Sequence, residues 1–251
     1  MNKPDWARPH WQRDAQQALL VYFVFGAFAE APKLESLAFG LSLPAGFALR
    51  RMPRASFLQW QGNPLRGGLG ESLRADDPDT FELANRAFAC LVLRGEIADA
   101  PTLDYLRSAL AVQGTLFDAG AVAIVDPQML EIFSAARWRE RYVGASASDP
   151  RRHVLILQQK EPDGGAWIKT HGMRKFARPD VSIRDVPARA VQSAGAVAAR
   201  LVELQARGMR FGDDSKVEVE GVPGGLTVKR GGTLDDPEFN NTHLELRWPA
   251  A

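Results

Sequence analysis

The sequence predicts an α+β fold in which two adjoining mixed or antiparallel sheets carry helices packed on them. Short runs rich in β-branched and aromatic residues recur along the chain and predict strands. Segments with apolar residues at helical spacing separate groups of these runs. The composition, 45% apolar and 24% charged over 251 residues, is typical of a globular protein with enough chain to bury a core.

The first part of the chain, residues 18–94, predicts the order β-α-β-β-α-β, which is ferredoxin-like. Its predicted strands are 18–25, 47–52, 56–60 and 88–93, and its predicted helices are 33–39 and 80–87. Residues 62–78 are predicted to be irregular because glycine, proline and aspartate recur there. There follow a helix at 101–112 that Asp99 caps and Gly114 ends, a strand at 119–125, and a helix from Asp126 to about Tyr142.

Residues 144–150 have the composition of a linker and divide the predicted domains into 1–146 and 147–251. One continuous domain is the alternative. The second part predicts three strands, a long helix and three further strands. The strands are 153–159, 167–170, 181–183, 216–220, 226–230 and 243–248. The helix runs from Pro187 to Arg207, carries an apolar stripe that includes Ala194 and Leu201, and stops at Gly208.

Charge and cysteine content narrow the class of protein. Lysine and arginine total 31 against 30 acids, and this balance argues against a dedicated nucleic-acid binder. The single cysteine, Cys90, excludes an internal disulfide framework and is compatible with a reducing compartment. The most apolar run, Ala18 to Ala29, is shorter than the ~20 residues of a membrane span, and the first residues do not resemble a signal peptide. We therefore expect a soluble, cytoplasmic protein with no membrane partner, and its oligomeric state stays open.

Motifs for nucleotides, metals and nucleophiles are weak. Gly62 to Gly67 has the spacing of a phosphate loop, but no lysine follows to reach the phosphates. The four histidines are widely spaced, and no Cys-x-x-Cys pair occurs in the sequence. Cys90 lies in an apolar strand, where thiols are usually inert. The sequence predicts no cofactor and no metal.

A basic and aromatic patch ends the predicted helix before residue 142. Its sequence is Arg137-Trp-Arg-Glu-Arg-Tyr142. Such interleaving can bind phosphates or stack on bases. Equally, arginines at a helix C-terminus complement its dipole, and Trp138 can pack on the next element.

The most unusual stretch runs from Trp167 to Ile183. Lys169 and His171 are expected on one face of their strand, opposite Ile168 and Thr170, and Gly172 is expected to adopt a positive φ. Phe176 is expected to plug the core edge. Three bases, Arg174, Lys175 and Arg178, are expected to project outward.

This stretch has a functional and a structural interpretation. The candidate ligand- or partner-binding residues are Lys169, His171, Arg174 and Arg178. His171 and Asp180 are the candidate acid–base pair. As structure alone, the stretch is a bulged connection between strands with a solvated basic rim.

The segment Thr170-His-Gly-Met-Arg-Lys-Phe-Ala-Arg-Pro-Asp180 resembles a stretch in an uncharacterised family of bacterial domains of unknown function. Ala177 stands where that stretch carries glycine. The Gly-Ala-Val-Ala-Ile run at Gly120 to Ile124 is also similar. The resemblance implies a bacterial, intracellular α+β protein, and it supplies no catalytic residues.

The leading hypothesis is a non-enzymatic protein-binding module, such as an immunity, adaptor or regulatory partner. It rests on the lack of a recognisable catalytic set and on the near-zero net charge. The alternative is an enzyme for a small-molecule or phosphate ligand, with a hydrolase as the best-fitting class, using His171 with Asp180 or Asp213. A concave pocket around His171, Arg174 and Asp180 would favour the enzyme. A flat rim beside exposed aromatic residues would favour a protein partner.

Overall fold

The computed structural model describes residues 5–32, 45–162 and 164–249. The chain forms two compact units: unit 1 comprises residues 1–6, 19–97 and 102–148, and unit 2 comprises residues 7–18, 98–101 and 149–251. Both contain helices and strands, so the predicted α+β class is confirmed. The helix predicted at 33–39 lies outside the described residues. The domain limits of 1–146 and 147–251 stay a prediction.

Unit 1 contains a five-stranded sheet in the order β2-β3-β1-β4-β5. Its strands are β1 (Ala18–Gly26), β2 (Phe47–Pro53), β3 (Ala89–Ile97), β4 (Ala121–Asp126) and β5 (Glu131–Phe133). The pairs β2–β3, β1–β4 and β4–β5 are antiparallel. Buried apolar residues dominate β1 and β4, as expected for strands covered on both faces.

Five helices of the described residues accompany this sheet. They are α1 (Arg54–Gln59), α2 (Gly67–Asp76), α3 (Pro78–Arg86), α4 (Asp104–Asp118) and α5 (Ala135–Tyr142). The first three bury Phe57, Leu73 and Phe81 in one cluster with Phe23 and Phe25 of β1. This packing covers one face of the sheet.

The strand predicted at 56–60 is wrong, because these residues belong to helix α1. Phe57 is the only deeply buried residue of α1, and its ring meets Phe25 edge-on at 5.2 Å. Three helices and no strand therefore lie between β2 and β3, and the order departs from the ferredoxin-like one.

The prediction of an irregular 62–78 segment is also wrong, because α2 occupies most of it. One of its glycines, Gly70, serves close packing, whereas a Cβ on Gly67 or Gly68 would meet no atom within 4 Å. A Cβ on Gly70 would stand 2.4 Å from the carbonyl oxygen of Leu65, so only glycine fits. At Gly70 the glycine thus reflects a close approach to the Leu65 backbone inside a helix and not an irregular segment.

Three further boundaries differ from the prediction. Helix α4 passes through Gly114 to Asp118, and the ring of Trp138 lies 3.1 Å from where a Cβ on Gly114 would be. Its N-cap position is Leu103, so the predicted cap by Asp99 is wrong. The helix predicted from Asp126 is replaced by a turn, strand β5 and the shorter helix α5.

Unit 2 contains a five-stranded mixed sheet in the order β11-β12-β8-β7-β6. Its strands are β6 (Leu155–Lys160), β7 (Ala166–His171), β8 (Asp180–Val186), β11 (Lys229–Gly231) and β12 (His243–Arg247). Only the β12–β8 pair is parallel. A separate hairpin joins β9 (Lys216–Val219) to β10 (Val222–Thr227).

The long helix of unit 2, α6 (Val191–Ala206), packs on strands β7 and β8. Ala198 and Leu201 of α6 meet Ile168, Val181 and Leu244 in the core. This confirms the predicted helix and its stop at Gly208, which has φ +104°. Lys169 and His171 of β7 alternate with Ile168, so they lie on the opposite face of the sheet from α6.

Candidate functional site

The connection from β7 to β8 is one 3₁₀ turn between two left-handed residues. Gly172 has φ +114°, the turn spans Met173–Phe176, and Ala177 has φ +54° and ψ +41°. Phe176 is fully buried. The predictions for Gly172 and Phe176 are confirmed. The left-handed Ala177 was not foreseen, and a glycine there would adopt the same backbone without strain.

The prediction that Lys175 and Arg178 project outward is wrong, since both side chains are fully buried. The Arg178 guanidinium donates hydrogen bonds to the carbonyls of Gly208 (2.9 Å) and Gln12 (2.8 Å). Arg8 donates from Nε to the carbonyl of Ala206 at 2.9 Å. Two arginines thus satisfy carbonyls at the C-terminal end of α6 and complement its dipole.

Asp99 provides the negative charge between these two arginines. Its carboxylate forms ion pairs with Arg8 and Arg178, all three side chains being inaccessible to solvent. It also accepts hydrogen bonds from Trp11 Nε1 (3.1 Å) and the Asp14 amide (2.9 Å). Burial lowers the pKa of Arg178, yet an arginine keeps its proton at any physiological pH. We call Arg8, Asp99 and Arg178 the arginine clamp.

Asp180 is held by donors that leave it no access to substrate. Its carboxylate accepts from Thr170 Oγ1 (2.8 Å), Asn241 Nδ2 (2.8 Å) and the Met173 amide (3.3 Å). Burial raises the pKa of Asp180 to about 7, against these three hydrogen bonds. No hydrogen bond joins Asp180 to His171 in the described part of the chain.

His171 is part of an aromatic stack. Its ring centroid lies 5.9 Å from that of Phe239 at an interplanar angle of 27°, and Phe239 stacks on His243 at 4.5 Å and 30°. Burial and the neighbouring Lys169 charge lower the pKa of His171 to about 4, so the ring is neutral at pH 7. Stacking on Phe239 supplies no hydrogen bond that would orient the imidazole as a general base requires.

The other two predicted binding residues contact the same part of the chain. Lys169 Nζ binds the carboxylate of Glu238 and donates to Gln159 Oε1 at 3.0 Å. Arg174 Nη1 donates to the carbonyls of Asn240 (3.0 Å) and Leu234 (3.4 Å).

These contacts converge on residues 232–242, the irregular segment between β11 and β12, which we call the strap. Lys169, His171 and Arg174, which we call the cradle, each bind a different strap residue or carbonyl. Asn241 of the strap also donates to Asp180. The structure thus brings together three of the four predicted binding residues and places Arg178 elsewhere, in the clamp.

Sequence reasoning missed the strap. The composition of the strap is complementary to that of the cradle, because the strap contains three acids, one phenylalanine and no base. Opposite charge alone does not identify a contact between segments far apart in sequence, and Lys169 and Glu238 are 69 residues apart.

The basic and aromatic patch of α5 is engaged within unit 1. Arg137 pairs with Asp76 at 2.7 Å, Arg139 with Asp118 at 2.9 Å, and Arg141 with Glu131 at 3.1 Å. Trp138 and Tyr142 are buried. Their rings are therefore not exposed as a platform for bases.

Two concave features of the described residues have linings that do not include His171. In unit 1 a groove of about 440 Å³ lies between α4 and α5, and its lining includes Leu110, Gly114, Trp138, Tyr142 and Val143. Val143 is 61% exposed at its edge. In unit 2 a cavity of about 520 Å³ is lined by Arg13, Asp14, Ala15, Gln17, Ala98 and Asp99, so neither His171 nor Asp180 faces it.

Within residues 5–32, 45–162 and 164–249, no group of three or more His, Cys, Asp and Glu side chains is placed to hold a metal ion. No helix in those ranges is both long and apolar enough to cross a bilayer. Comparison with protein-family models, curated proteins and solved structures finds no match to this chain.

Proposed function

We propose that this protein is a non-enzymatic protein-binding module, such as an immunity, adaptor or regulatory partner, whose recognition surface includes the cradle. The observation that carries the proposal is the convergence of Lys169, His171 and Arg174 on one peptide segment. These side chains use an ion pair, a ring stack and hydrogen bonds to carbonyls, which are the contacts by which proteins recognise peptides.

The geometry gives less support to the hydrolase alternative. A general base needs a reacting proton within hydrogen-bond reach and a group that orients its ring. His171 stacks on Phe239, and Asp180 accepts its hydrogen bonds from Thr170, Asn241 and the Met173 amide. Asp213, the other candidate acid, accepts a hydrogen bond from the Arg230 amide at 2.7 Å.

Capture of partners from the native host tests the proposal. The immobilised wild-type chain is compared with Arg174→Glu, which reverses one cradle charge, and with Lys229→Glu, a matched reversal at an exposed lysine of β11. We expect one protein to be retained by wild type and Lys229→Glu and lost with Arg174→Glu. Equal retention by both variants would remove the cradle from the recognition surface.

The enzyme alternative is tested in parallel on phosphate and carboxylate ester substrates. Binding without catalysis predicts no turnover above background by the wild-type chain. Turnover that disappears in His171→Ala, while the variant keeps its circular dichroism spectrum, would instead establish the hydrolase.

A further inference from the structure

We propose that the strap is an internal ligand of the cradle, and that the partner presents an acidic residue followed by an aromatic one and takes the place of the strap. This inference rests on the proposed function, because it specifies the chemistry of the partner and the regulation of the same surface. The template is the chain's own Glu238-Phe239 pair.

Few side chains of the strap are buried, although Gln16 accepts from Thr242 Oγ1 (3.0 Å) and donates to Asn241 Oδ1 (2.9 Å) at its end. Of residues 232–241 only Phe239 and Asn241 are buried, and no helix or strand forms between β11 and β12. Asp236 organises a local turn by accepting from the amides of Glu238 (2.9 Å) and Phe239 (3.1 Å). At its β12 end the strap is tied to β8, because the Asp180 amide donates to the Thr242 carbonyl at 2.9 Å. Residues 232–240, with one buried side chain and no strand, open at lower free energy than the strands that flank them.

The ion pair defines the first requirement for a competing ligand. The Lys169 side chain is only 8% exposed, whereas that of Glu238 is 46% exposed. The carboxylate can therefore leave into water, but the ammonium that stays behind is nearly buried. Since an unpaired buried charge is costly, whatever takes the place of Glu238 must provide a carboxylate.

The stack defines the second requirement. Phe239 stacks on both His171 and His243, and its ring also meets Trp167 edge-on at 5.9 Å. Removing Phe239 would leave three rings without their central partner. An aromatic side chain next to the carboxylate would restore this packing, since aromatic pairs contribute beyond their buried area.

Because the strap is part of the same chain as the cradle, it would occupy the cradle in the isolated protein. A segment joined by short connections acts at an effective concentration in the millimolar range. A free peptide of similar intrinsic affinity must exceed this concentration to compete. Weakening the strap should therefore strengthen the binding of an added peptide at least tenfold, because a larger fraction of the chain is then competent.

The experiment uses the full chain and a fluorescein-labelled peptide with the sequence of residues 232–242. Its binding is measured by fluorescence anisotropy to wild type and to the Glu238→Ala/Phe239→Ala variant. We expect at least tenfold tighter binding to the variant. Adding Lys169→Met to the variant should abolish binding, and a peptide with alanine in place of its Glu and Phe should not bind either chain.

Glu238→Gln provides a second, milder variant, because it removes the charge and leaves Phe239 in place. It should show a smaller but measurable gain in peptide affinity, and it covers the case in which the double variant does not fold. Equal binding to wild type and to a folded strap variant would overturn the inference. If the peptide binds neither wild type nor the folded strap variants while capture of a host protein still depends on Arg174, the internal-ligand inference fails alone and the proposed function stands.

Discussion

The arginine clamp predicts that replacing Asp99 with asparagine strongly destabilises the protein. The substitution keeps the shape of the side chain but removes the one negative charge between Arg8 and Arg178, whose side chains are inaccessible to solvent. It also turns an amide nitrogen toward groups that donate hydrogen bonds. Breaking a buried ion pair by removing one partner costs about 3–5 kcal/mol.

This loss is large against the total, since domains are stable by about 5–15 kcal/mol. Urea denaturation, followed by tryptophan fluorescence and circular dichroism, should show a lower midpoint for Asp99→Asn. The control is Asp214→Asn, whose ion pair with Lys229 is exposed on both sides. We expect the control to keep a urea midpoint close to that of wild type, because an exposed ion pair contributes little to stability. A loss of under about 1 kcal/mol for Asp99→Asn would refute the structural role of the clamp.

Three further predictions follow from single contacts. Ala177→Val should cost more than about 2 kcal/mol, because a β-branched side chain is strained at φ +54°, whereas Ala177→Gly should stay within about 1 kcal/mol of wild type by thermal denaturation. His171, whose pKa is lowered to about 4, contributes stability that rises with pH from about 4 to 6.5. Asp180, whose pKa is raised to about 7, contributes stability that falls as the pH rises from about 4 to 7. His171→Phe removes the rising contribution, so the free energy of unfolding, measured by urea titration, should fall more steeply between pH 4.5 and 6.5 than in wild type. An unchanged pH dependence would contradict the buried environment assigned to His171. An apolar dye should bind the α4–α5 groove of the folded protein, and Val143→Asp should weaken it several-fold; equal dye fluorescence in both chains would place the dye elsewhere.

The sequence predicted most strands and the two longest helices because their signals are local. The apolar run of β1, and the stripe on α6 that includes Ala194 and Leu201, can both be recognised from residues that are close together in sequence. Phe57 and Gly70 misled the prediction because their roles depend on partners: Phe25 for the first, and the Leu65 carbonyl for the second.

In the candidate site, too, the features set by neighbouring residues could be predicted and those set by distant partners could not. Strand alternation correctly placed Lys169 and His171 on one face of β7. The burial of Arg178 could not be predicted, because it depends on Asp99 and on the Gln12 carbonyl, which is 166 residues away. A lone basic residue after a turn is usually solvated, and only the fold reveals a buried carboxylate beside it.

The binding of the 232–242 peptide to the strap-released chain tests the central claim most directly. In the Glu238→Ala/Phe239→Ala background, Arg174→Glu and Lys229→Glu are compared by anisotropy at equal protein concentration. Recognition by the cradle predicts that Arg174→Glu loses the peptide and Lys229→Glu keeps it. Loss of the peptide by neither variant, or equally by both, would contradict the assignment of the cradle as the recognition surface.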